Sequence, residues 1–349
     1  MINTENDSKI RTRPCPNCYL CGIPGEVLYE KVKDCIFGTP GEWSLKKCSN
    51  HDCGLIWLDP VPIKEDLGKA YRNYYLHEDV DTCEASRPQV LENIKNGIIY
   101  GTSGIEYPSK RGAAFYLGEA LSRFDIFREM IADSLKWIDN SGKGRILDIG
   151  CGSGKFLLQM KRLGWDAVGI DLDLKGARLS KAKGLEVYQG ILEEMSFPEK
   201  SFDVITLIHV IEHLEDPLQT LKESRKYLKK GGKLVIVTPN SDSVGAKYFG
   251  INWRGWEVPR HSYVFSPQMI EKIVEKSGFR KLVIKTLSRS ARYIWKESGY
   301  IKNGSSYRLT LEVGGTFFWL FEHLLLRFRP HVGEEVLLIA TDRSSEEGG

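Results

Sequence analysis

The stretch that most constrains the fold is Arg145–Phe156, Arg-Ile-Leu-Asp-Ile-Gly-Cys-Gly-Ser-Gly-Lys-Phe. Its apolar start predicts a buried strand, its three glycines predict a tight turn, and Lys155–Leu163 has helical spacing. Glycine permits positive φ angles and close backbone approach, and a helix N-terminus presents free N–H groups. The stretch therefore predicts a nucleotide-type site. A simple tight turn is the plainer alternative, because G-x-G-x-G differs from the dinucleotide spacing G-x-G-x-x-G.

Further strand-like segments follow at the spacing of a parallel α/β sheet. A second strand at 165–171 ends in Asp171, about twenty residues after the glycines, where a carboxylate meets ribose hydroxyls at a neighbouring strand tip. Later strands are predicted at 187–192, 202–208, 231–237 and 280–288, with a last, antiparallel strand at 336–341. A helix is predicted to begin at Ser266-Pro267, with serine as N-cap and proline in the first turn.

Several of these features, in this order, resemble the class I S-adenosylmethionine (SAM) methyltransferases. The matching features are the Asp-x-Gly-x-Gly-x-Gly loop at 148–154, Asp171, the segment HVIEHLEDP at 209–217 and the turn LKKGGKL at 228–234. The resemblance extends over about residues 141–341. It implies an α/β fold with a doubly wound, seven-stranded, Rossmann-like sheet. A dehydrogenase is disfavoured by the glycine spacing.

The resemblance also implies which residues bind SAM. Asp148 and the loop backbone would bind the methionine portion, Asp171 would bind the ribose, and residues 190–192 would flank the adenine. Relatives often carry an acid where Ile191 stands, so backbone groups are expected to recognise the adenine here. Cys151 is interpreted as a small turn residue rather than a nucleophile. The full expected set is Asp148, Gly150, Cys151, Gly152, Gly154, Asp171, Leu172, Gly190, Ile191, Leu192 and His209.

Candidate catalytic residues follow the fourth strand. Methyl transfer requires alignment and, for a hydroxyl or acidic carbon acceptor, a base, for which histidine is suited by its pKa. His213 with Glu212 is the first candidate and His261 the second; a purely structural Glu-His pair is the alternative. The segment H-x-x-E-H also resembles the E-x-x-E-H segments that bind a divalent ion in some quinone and small-RNA methyltransferases. A cation at His209, Glu212 and His213 is therefore a further hypothesis, although His209 replaces the first acid.

Two thiol clusters near the N-terminus predict a single tetrahedral zinc site. Short-spaced cysteine pairs about thirty residues apart each supply two ligands in such sites, and the absence of an N-terminal secretory signal favours metal over disulfides. The preferred ligands are Cys18, Cys21, Cys48 and Cys53. Cys15 and His51 have competing ligand spacing. Gly22 and Gly54, after each cluster, are expected to let N–H groups point at sulfur.

The order of Cys-Gly, apolar strand, Pro-x-Pro, helix and Tyr-Tyr resembles the zinc-binding module of a branch of SAM methyltransferases, many linked to deoxysugar and polysaccharide pathways. We expect a zinc module at 1–62, a helical or lid linker at 63–112 and a methyltransferase domain at 113–349. Strands are predicted at 27–32, 42–47 and 55–58, and helices at 63–76 and 115–139.

An insertion at about 240–265 is expected to bind the acceptor. Trp253 and Trp256 are interpreted as a stacking platform, beside Arg254 and Arg260 for a phosphate, with ordinary core packing as the alternative. An apolar helix at about 316–328 follows, in a region (280–331) with ten Lys or Arg against three Glu. Such a helix suits docking on an anionic membrane or a lipid-linked acceptor, a homodimer interface, or packing on the sheet.

The composition limits which functional classes and cellular locations fit the sequence. A hydrophobic fraction of 42% is ample for a core, and a formal charge of +3 does not indicate a strong nucleic-acid binder. Eight cysteines without a signal segment indicate a reducing, cytoplasmic location, with peripheral contact at the inner face of the membrane as an option. The leading hypothesis is methylation of a sugar, carried on a nucleotide or lipid. An RNA methyltransferase and a non-catalytic SAM-binding scaffold are the alternatives.

Overall fold

The computed structural model describes residues 9–72, 88–104, 111–124, 127–128, 144–304 and 308–343. Its N-terminal part forms five strands: β1 (Thr12–Arg13), β2 (Gly25–Val32), β3 (Trp43–Cys48), β4 (Ile56–Leu58) and β5 (Val61–Pro62). β2, β3 and β4 form an antiparallel meander, and β1 pairs with β5. The three predicted strands are confirmed to within two residues, because side chains of β3 and β4 alternate or run apolar as buried strands do.

A seven-stranded sheet forms the centre of the molecule. Its strands are β6 (Arg145–Ile149), β7 (Asp166–Asp171), β8 (Glu186–Gln189), β9 (Phe202–Ile208), β10 (Leu228–Pro239), β12 (Phe279–Leu287) and β13 (Glu335–Asp342). The order is β12-β13-β10-β9-β6-β7-β8. The strands from β6 to β10 run parallel, and β13 runs antiparallel to β10 and β12. The predicted doubly wound, seven-stranded α/β sheet with an antiparallel last strand is therefore confirmed.

Helices connect these strands. In chain order they are α1 (Gln89–Ser103), α2 (Ala113–Leu121), α3 (Lys155–Arg162), α4 (Leu174–Ala182), α5 (Pro217–Tyr227), α6 (Val244–Phe249), α7 (Pro267–Lys276), α8 (Ala291–Asn303) and α9 (Arg308–Leu325). Asp173, Asp216 and Ser266 cap the N-termini of α4, α5 and α7 by accepting backbone N–H bonds. The predicted start of α7 at Ser266-Pro267 is confirmed.

The segment before the sheet differs from expectation. The helix predicted over 115–139 ends at Leu121 in a turn, and residues 125–126 and 129–143 lie outside the described residues. The predicted linker contains α1, which packs closely on α2 because Gly97 lies against the Phe115 carbonyl and Gly118 against the Ile94 carbonyl. The helix predicted at 63–76 is a 3-10 helix at Lys64–Tyr71, and residues 73–76 are not described.

The two faces of the sheet bury separate cores. Leu147, Ile205 and Ile236 face one core, which also contains α5 and α7 residues; Ile146, Val204 and Val235 face the other, toward α3 and α4. This alternation is the period-2 pattern of a strand covered on both sides. The first core also includes the N-terminal residues Cys18, Cys53, Leu55 and Trp57, so the N-terminal unit packs directly on the sheet domain.

One short strand joins the two units. β11 (Tyr263–Val264) lies at the end of the 240–265 segment and pairs antiparallel with β4 of the N-terminal sheet. The Leu58 N–H also donates to the Ser262 carbonyl, and the Ser262 N–H donates to the Glu212 carbonyl. The N-terminal sheet therefore reaches the residues that follow β9 through continuous backbone hydrogen bonds.

The last two helices pack on each other. Trp295 of α8 stacks on Phe318 of α9 with ring centroids 4.6 Å apart, and Gly315 lies against the Arg292 carbonyl. The predicted apolar helix at 316–328 begins earlier and ends at Leu325. In the described part of the chain, no helix combines the length and the apolar character that crossing a bilayer would require.

Candidate functional site

The glycine turn between β6 and α3 has the conformation predicted from its sequence. Gly150, Gly152 and Gly154 have φ angles of +71°, +54° and +74°. A Cβ at Gly150 would lie 2.3 Å from Val210 Cγ2, so the turn touches the segment that follows β9. A Cβ at Gly152 would meet nothing within 4 Å. The turn therefore leaves open space in front of Gly152, as a bound ligand requires.

Four backbone N–H groups of this turn make hydrogen bonds within the protein. Those of Gly150 and Cys151 donate to the Ile170 carbonyl, and that of Gly154 donates to the Cys151 carbonyl. The Gly152 N–H donates to Asp171 Oδ2 over 2.6 Å. Binding of the methionine portion of SAM by Asp148 and the loop backbone therefore stays a prediction. These bonds hold the turn in shape, and the turn leads directly into the N-terminus of α3 at Lys155.

Two carboxylates flank the turn. Asp148 is 4% exposed, and its Oδ1 accepts a 2.6 Å bond from Thr206 Oγ1. Burial, with Asp171 nearby, raises the pKa of Asp148 to about 7. Asp171 is half-buried and accepts from the N–H groups of Gly152 and Asp173 with its two oxygens. A carboxylate has about four acceptor positions, and ribose hydroxyls are the donors that the resemblance predicts for Asp171.

The expected adenine segment follows β8. The Gly190 N–H donates to the Asp171 carbonyl, and Gly190 has a φ of +137°. Ile191 is half-buried, and Leu192 is 1% exposed in the core behind the turn. Leu172, beside Asp171, is 62% exposed. Cys151 is buried, and burial raises the pKa of its thiol, which agrees with a structural turn residue.

His209 follows β9 with a φ of +55°. Its Nε2 is 3.0 Å from Glu335 Oε1, and its Nδ1 is 3.5 Å from Glu212 Oε1. Burial opposes a charged ring, but hydrogen bonds to Glu212 and Glu335 raise the pKa of His209 to about 10. His209 is therefore an imidazolium held between two carboxylates at the edge of the sheet.

The candidate catalytic residues lie together beyond His209. The rings of His213 and His261 are 4.7 Å apart and edge-to-face. Glu212 is 1% exposed and accepts from Thr238 Oγ1. Burial would raise the pKa of Glu212, but the His209 hydrogen bond and the electrostatic influence of the nearby His213 and His261 rings lower it below its ordinary value. The carboxylate is therefore ionised beside both rings.

Hydrogen bonds assign the tautomer of each histidine. His213 Nδ1 lies 3.0 Å from the Arg260 carbonyl, and His261 Nδ1 lies 2.8 Å from the Gly255 carbonyl. Because a carbonyl oxygen only accepts, Nδ1 carries the proton in both neutral rings, and Nε2 is the basic nitrogen. The Tyr71 hydroxyl is 3.1 Å from His213 Nδ1. Burial lowers the pKa of His261 to about 4, so that ring is neutral near pH 7.

The residues that come together as a candidate cation site differ from the three expected from the sequence. Ligand atoms of Glu212, His213 and His261 lie within 4.8 Å of one another, and this group does not include His209. His209 Nε2 instead lies 3.0 Å from Glu335 Oε1, and hydrogen bonds to Glu212 and Glu335 raise the pKa of His209 to about 10. A cation shared by His209, Glu212 and His213 stays a prediction, and the geometry adds His261 as a candidate beside Glu212 and His213.

The aromatic segment is not an exposed platform. Trp253 and Trp256 are 1% and 3% exposed, and their Nε1 groups donate to Glu334 and to the Gly250 carbonyl. Arg254 pairs with Glu257 at 2.5 Å. The predicted stacking and phosphate-binding roles of this segment are wrong, because the neighbouring elements bury its tryptophans and pair its arginines.

Arg260 joins the two units. Its guanidinium is 1% exposed, and Nη1 donates to Asp34 Oδ2 (2.8 Å), to Thr39 Oγ1 (2.9 Å) and to the Ala70 carbonyl (3.0 Å). Its Nε donates to Glu257. The same residue therefore ties the N-terminal unit to the catalytic segment and accepts from His213 with its carbonyl.

A cluster of buried acids lies behind the site. Glu322 accepts from the Glu334 N–H, and Glu334 accepts from Ser243 Oγ and the Gly245 N–H. Burial raises the pKa of Glu322 to about 10 and that of Glu334 to about 7. Burial opposes ionisation of Glu335 too, but Arg289 and His209 lower its pKa to about 2. Of these three acids, Glu335 carries the charge that fixes His209.

The four predicted zinc ligands converge. The Sγ atoms of Cys18, Cys21, Cys48 and Cys53 lie within 4.8 Å of one another, with Cys18–Cys53 at 3.6 Å and Cys21–Cys48 at 3.4 Å. A tetrahedral site with Zn–S bonds of about 2.3 Å needs sulfurs about 3.8 Å apart, so the four thiols fit zinc. Among the described residues this group includes neither Cys15 nor His51.

The turns around these thiols confirm part of the glycine argument. Gly22 and Gly54 have φ angles of +73° and +64°. Their own N–H groups donate to the carbonyls of Cys18 and Asn50 rather than to sulfur. The N–H groups that reach sulfur come from Leu20 and Cys21 (to Cys18), Ile23 (to Cys21) and Asn50 (to Cys48). Such bonds stabilise thiolates bound to a metal.

Some residues of the site escaped prediction. Tyr71 belongs to a recognisable aromatic group, but nothing in that group distinguishes the tyrosine that contacts His213. Asp34 and Glu257 sit in ordinary polar stretches, and Glu334-Glu335 has the composition of a charged turn. Their roles depend on partners far along the chain, for which the sequence carries no local signal.

Known proteins resemble this chain over its sheet domain. Residues 123–283 match the family described as "Methyltransferase domain". This part of the chain, a little under half of it, is therefore similar to methyltransferase domains. A ubiquinone biosynthesis O-methyltransferase of Cereibacter sphaeroides is 34% identical over 146 residues, 38% of this chain and 59% of the relative. An uncharacterized protein of Methanocaldococcus jannaschii is 25% identical over 140 residues, 40% of this chain and 66% of the relative.

These similarities cover parts of each protein. The chain spans about half to two thirds of the curated relatives it matches, including 50% of a ubiquinone biosynthesis O-methyltransferase of Pelagibacter ubique that is 38% identical over 121 residues. A SAM-dependent methyltransferase of Archaeoglobus fulgidus is 22% identical, covering 65% of this chain and 99% of that structure, with a TM-score of 0.43. A score of this size carries no argument about function.

Proposed function

We propose that this protein transfers a methyl group from SAM to a small-molecule acceptor, with His213 as the base. One observation carries the proposal: the Gly150 turn and the His213 segment are in contact through Val210, at the carboxyl ends of β6 and β9. Ligands of open α/β sheets bind outside the carboxyl ends of the strands. A ligand in the turn would therefore face the two histidines.

The residues at the turn fit SAM. Space in front of Gly152 accommodates a ligand, and the Asp171 carboxylate lies at this turn, where it accepts from the Gly152 N–H. Asp148 is a buried carboxylate without a cation beside it in the hydrogen bonds described, and its raised pKa means that a bound positive group would be stabilised strongly there. SAM supplies a methyl group activated by a positively charged sulfur.

A side chain of the protein accepts the proton that the methyl acceptor loses. His213 Nε2 has the free lone pair, because Nδ1–H donates to the Arg260 carbonyl. When the acceptor loses its proton to Nε2, the imidazolium that forms is stabilised by the Glu212 carboxylate nearby. Tyr71, at 3.1 Å from Nδ1, helps to fix the orientation of the ring. His261 is the second base candidate, weakened by its pKa of about 4.

A base of this kind suits a hydroxyl or an acidic carbon. The relatives named ubiquinone biosynthesis O-methyltransferases support an oxygen acceptor. A sugar remains our prediction for the acceptor class, and it rests on the resemblance of the N-terminal unit to the module of sugar-pathway methyltransferases. The 250–263 segment no longer supports it, because both tryptophans are buried.

We further propose that the four cysteines hold one structural Zn²⁺. The thiol geometry fits the ion, and its loss would loosen a unit that contributes Leu55 and Trp57 to the core. Instead of acting in proton transfer, the side chains of Glu212, His213 and His261 could bind a divalent ion, and this is the alternative. Metal analysis of the purified protein separates these cases: one zinc per chain, lost in Cys21→Ser, supports the structural site alone, and a second ion lost in His261→Gln supports the alternative.

The activity is tested with SAM labelled in the methyl group. The protein is incubated with pools of nucleotide sugars, glycan lipids, phenols and RNA, and the labelled product is identified by mass spectrometry. We expect labelling of a small molecule, lost in His213→Gln and kept in the matched variant His331→Gln, whose exposed side chain lies outside the site. Labelling of RNA alone, or no labelling despite SAM binding, would replace the proposal by the RNA or the scaffold alternative.

A further inference from the structure

The outer face of α9 and the turn after it form a continuous apolar stripe. Val313, Phe317, Leu320, Phe321, Leu324 and Phe328 recur at helical spacing and are 54%, 69%, 38%, 54%, 56% and 84% exposed. Spacings of three and four residues place side chains on one side of a helix. A stripe of this size and order exceeds the scattered apolar residues normal on a protein surface.

The opposite face of α9 already supplies the packing of this helix. Phe318 stacks on Trp295, Gly315 lies against α8, and Glu322 is fully buried with its Oε1 bound to the Glu334 N–H. The stripe therefore adds nothing to the core seen in the described residues. Its exposure costs solubility without a gain in fold stability, which is typical of an interaction surface.

Charge identifies the kind of partner. Between residues 313 and 329, the acid Glu322 lies at 0% exposure, while the basic side chains Arg327 and Arg329 are exposed on both sides of Phe328. The outward surface of this segment is therefore apolar and basic. That combination favours the surface of an anionic bilayer, where apolar side chains enter the headgroup boundary and each basic residue strengthens binding about fivefold.

We propose that the α9 stripe docks this protein on an anionic lipid surface, with the helix lying in the plane of the membrane. A second copy of the chain fits the same surface less well, because a paired stripe would bury Arg327 or Arg329 without any exposed acid from residues 313–329 to pair with. This inference does not depend on the proposed methyl transfer, because the stripe faces away from Glu322 and the site behind it.

The test uses the full chain and unilamellar vesicles of phosphatidylcholine alone or with about one third phosphatidylglycerol, a composition that gives the negative surface the proposal requires. Flotation measures the bound fraction at low and high salt. We expect binding to the anionic vesicles at least tenfold tighter than to the neutral ones, weakened by salt. In Arg327→Glu/Arg329→Glu, the preference for anionic vesicles should disappear.

The triple variant Phe317→Ser/Phe321→Ser/Phe328→Ser should lose at least tenfold in binding while keeping its circular dichroism and unfolding midpoint. Val27→Ser, 51% exposed on β2, is the matched control and should bind like the unchanged chain. Absence of binding to anionic vesicles, or binding unchanged in the triple variant, would overturn the proposal. Light scattering that shows a dimer abolished by the triple variant, without vesicle binding, would assign the stripe to self-association instead.

Discussion

The glycine turn at 150–154 and the aromatic segment at 250–263 lie at the same edge of the sheet, but the sequence predicts the turn correctly and the accessibility of the aromatic segment incorrectly. In the turn, all three glycines adopt the positive φ angles that their spacing predicts. In the aromatic segment, Trp253 and Trp256 were expected to be accessible and are buried. Backbone conformation is decided by neighbouring residues, whereas burial is decided by elements far along the chain. The four predictions below test this contrast.

The largest expected effect concerns His213, which the sequence did predict. His213→Gln should lower turnover of labelled SAM by about two to four orders of magnitude, because no base then removes the proton from the molecule that receives the methyl group. Affinity for SAM should change less than twofold, since His213 lies on the acceptor side of Val210. Turnover equal to that of His331→Gln would remove His213 from the catalytic role.

The second largest effect is expected at Arg260, although the sequence gives no sign that this residue links the two units. Arg260→Met leaves Asp34 buried without its cation, so we expect the free energy of unfolding to fall by about 3–5 kcal/mol in urea titration. Arg162→Met, at an exposed position on α3, should change it by less than about 0.5 kcal/mol. Equal stability of the two variants would contradict the assignment of Arg260 as the fastening between the two units.

The third effect is the pH dependence of SAM binding at the glycine turn. Below its pKa of about 7, Asp148 is protonated and cannot stabilise a cation, so binding requires proton release. Affinity should therefore fall as pH decreases through 7, by up to about tenfold per pH unit. Calorimetry in buffers of different ionisation enthalpy should detect the proton. If the SAM affinity of Asp148→Asn still depends on pH, another titrating group, such as Glu334, is responsible.

The smallest effect separates backbone strain from ligand space. Gly152 and Gly184 both have positive φ angles, and a Cβ at either position meets nothing within 4 Å. Alanine at either site should therefore cost about 1 kcal/mol of stability. Only Gly152→Ala should also weaken SAM binding, because its methyl group enters the space in front of the turn. Equal SAM affinity in both variants would place the ligand elsewhere.

Much of the fold was predictable for a physical reason. Runs such as 145–149 and 202–208 are apolar enough to be strands buried on both faces, and cap residues such as Ser266 mark where helices begin. The convergence of the four cysteines was predictable because cysteines in short-spaced pairs are typical of a shared metal site. The tautomer of His213 was not, because it depends on the carbonyl of Arg260, which is fixed in turn by Asp34, 226 residues earlier in the chain.

The most direct test of the central claim is calorimetry of the purified, folded protein with SAM and with its demethylated product. The account predicts one site per chain for both compounds, weakened at least tenfold in Asp171→Ala and unchanged in the exposed control Asp52→Ala. No heat with either compound, or equal affinity in the two variants, would contradict the assignment of the Gly150–Gly154 turn and Asp171 as the SAM site.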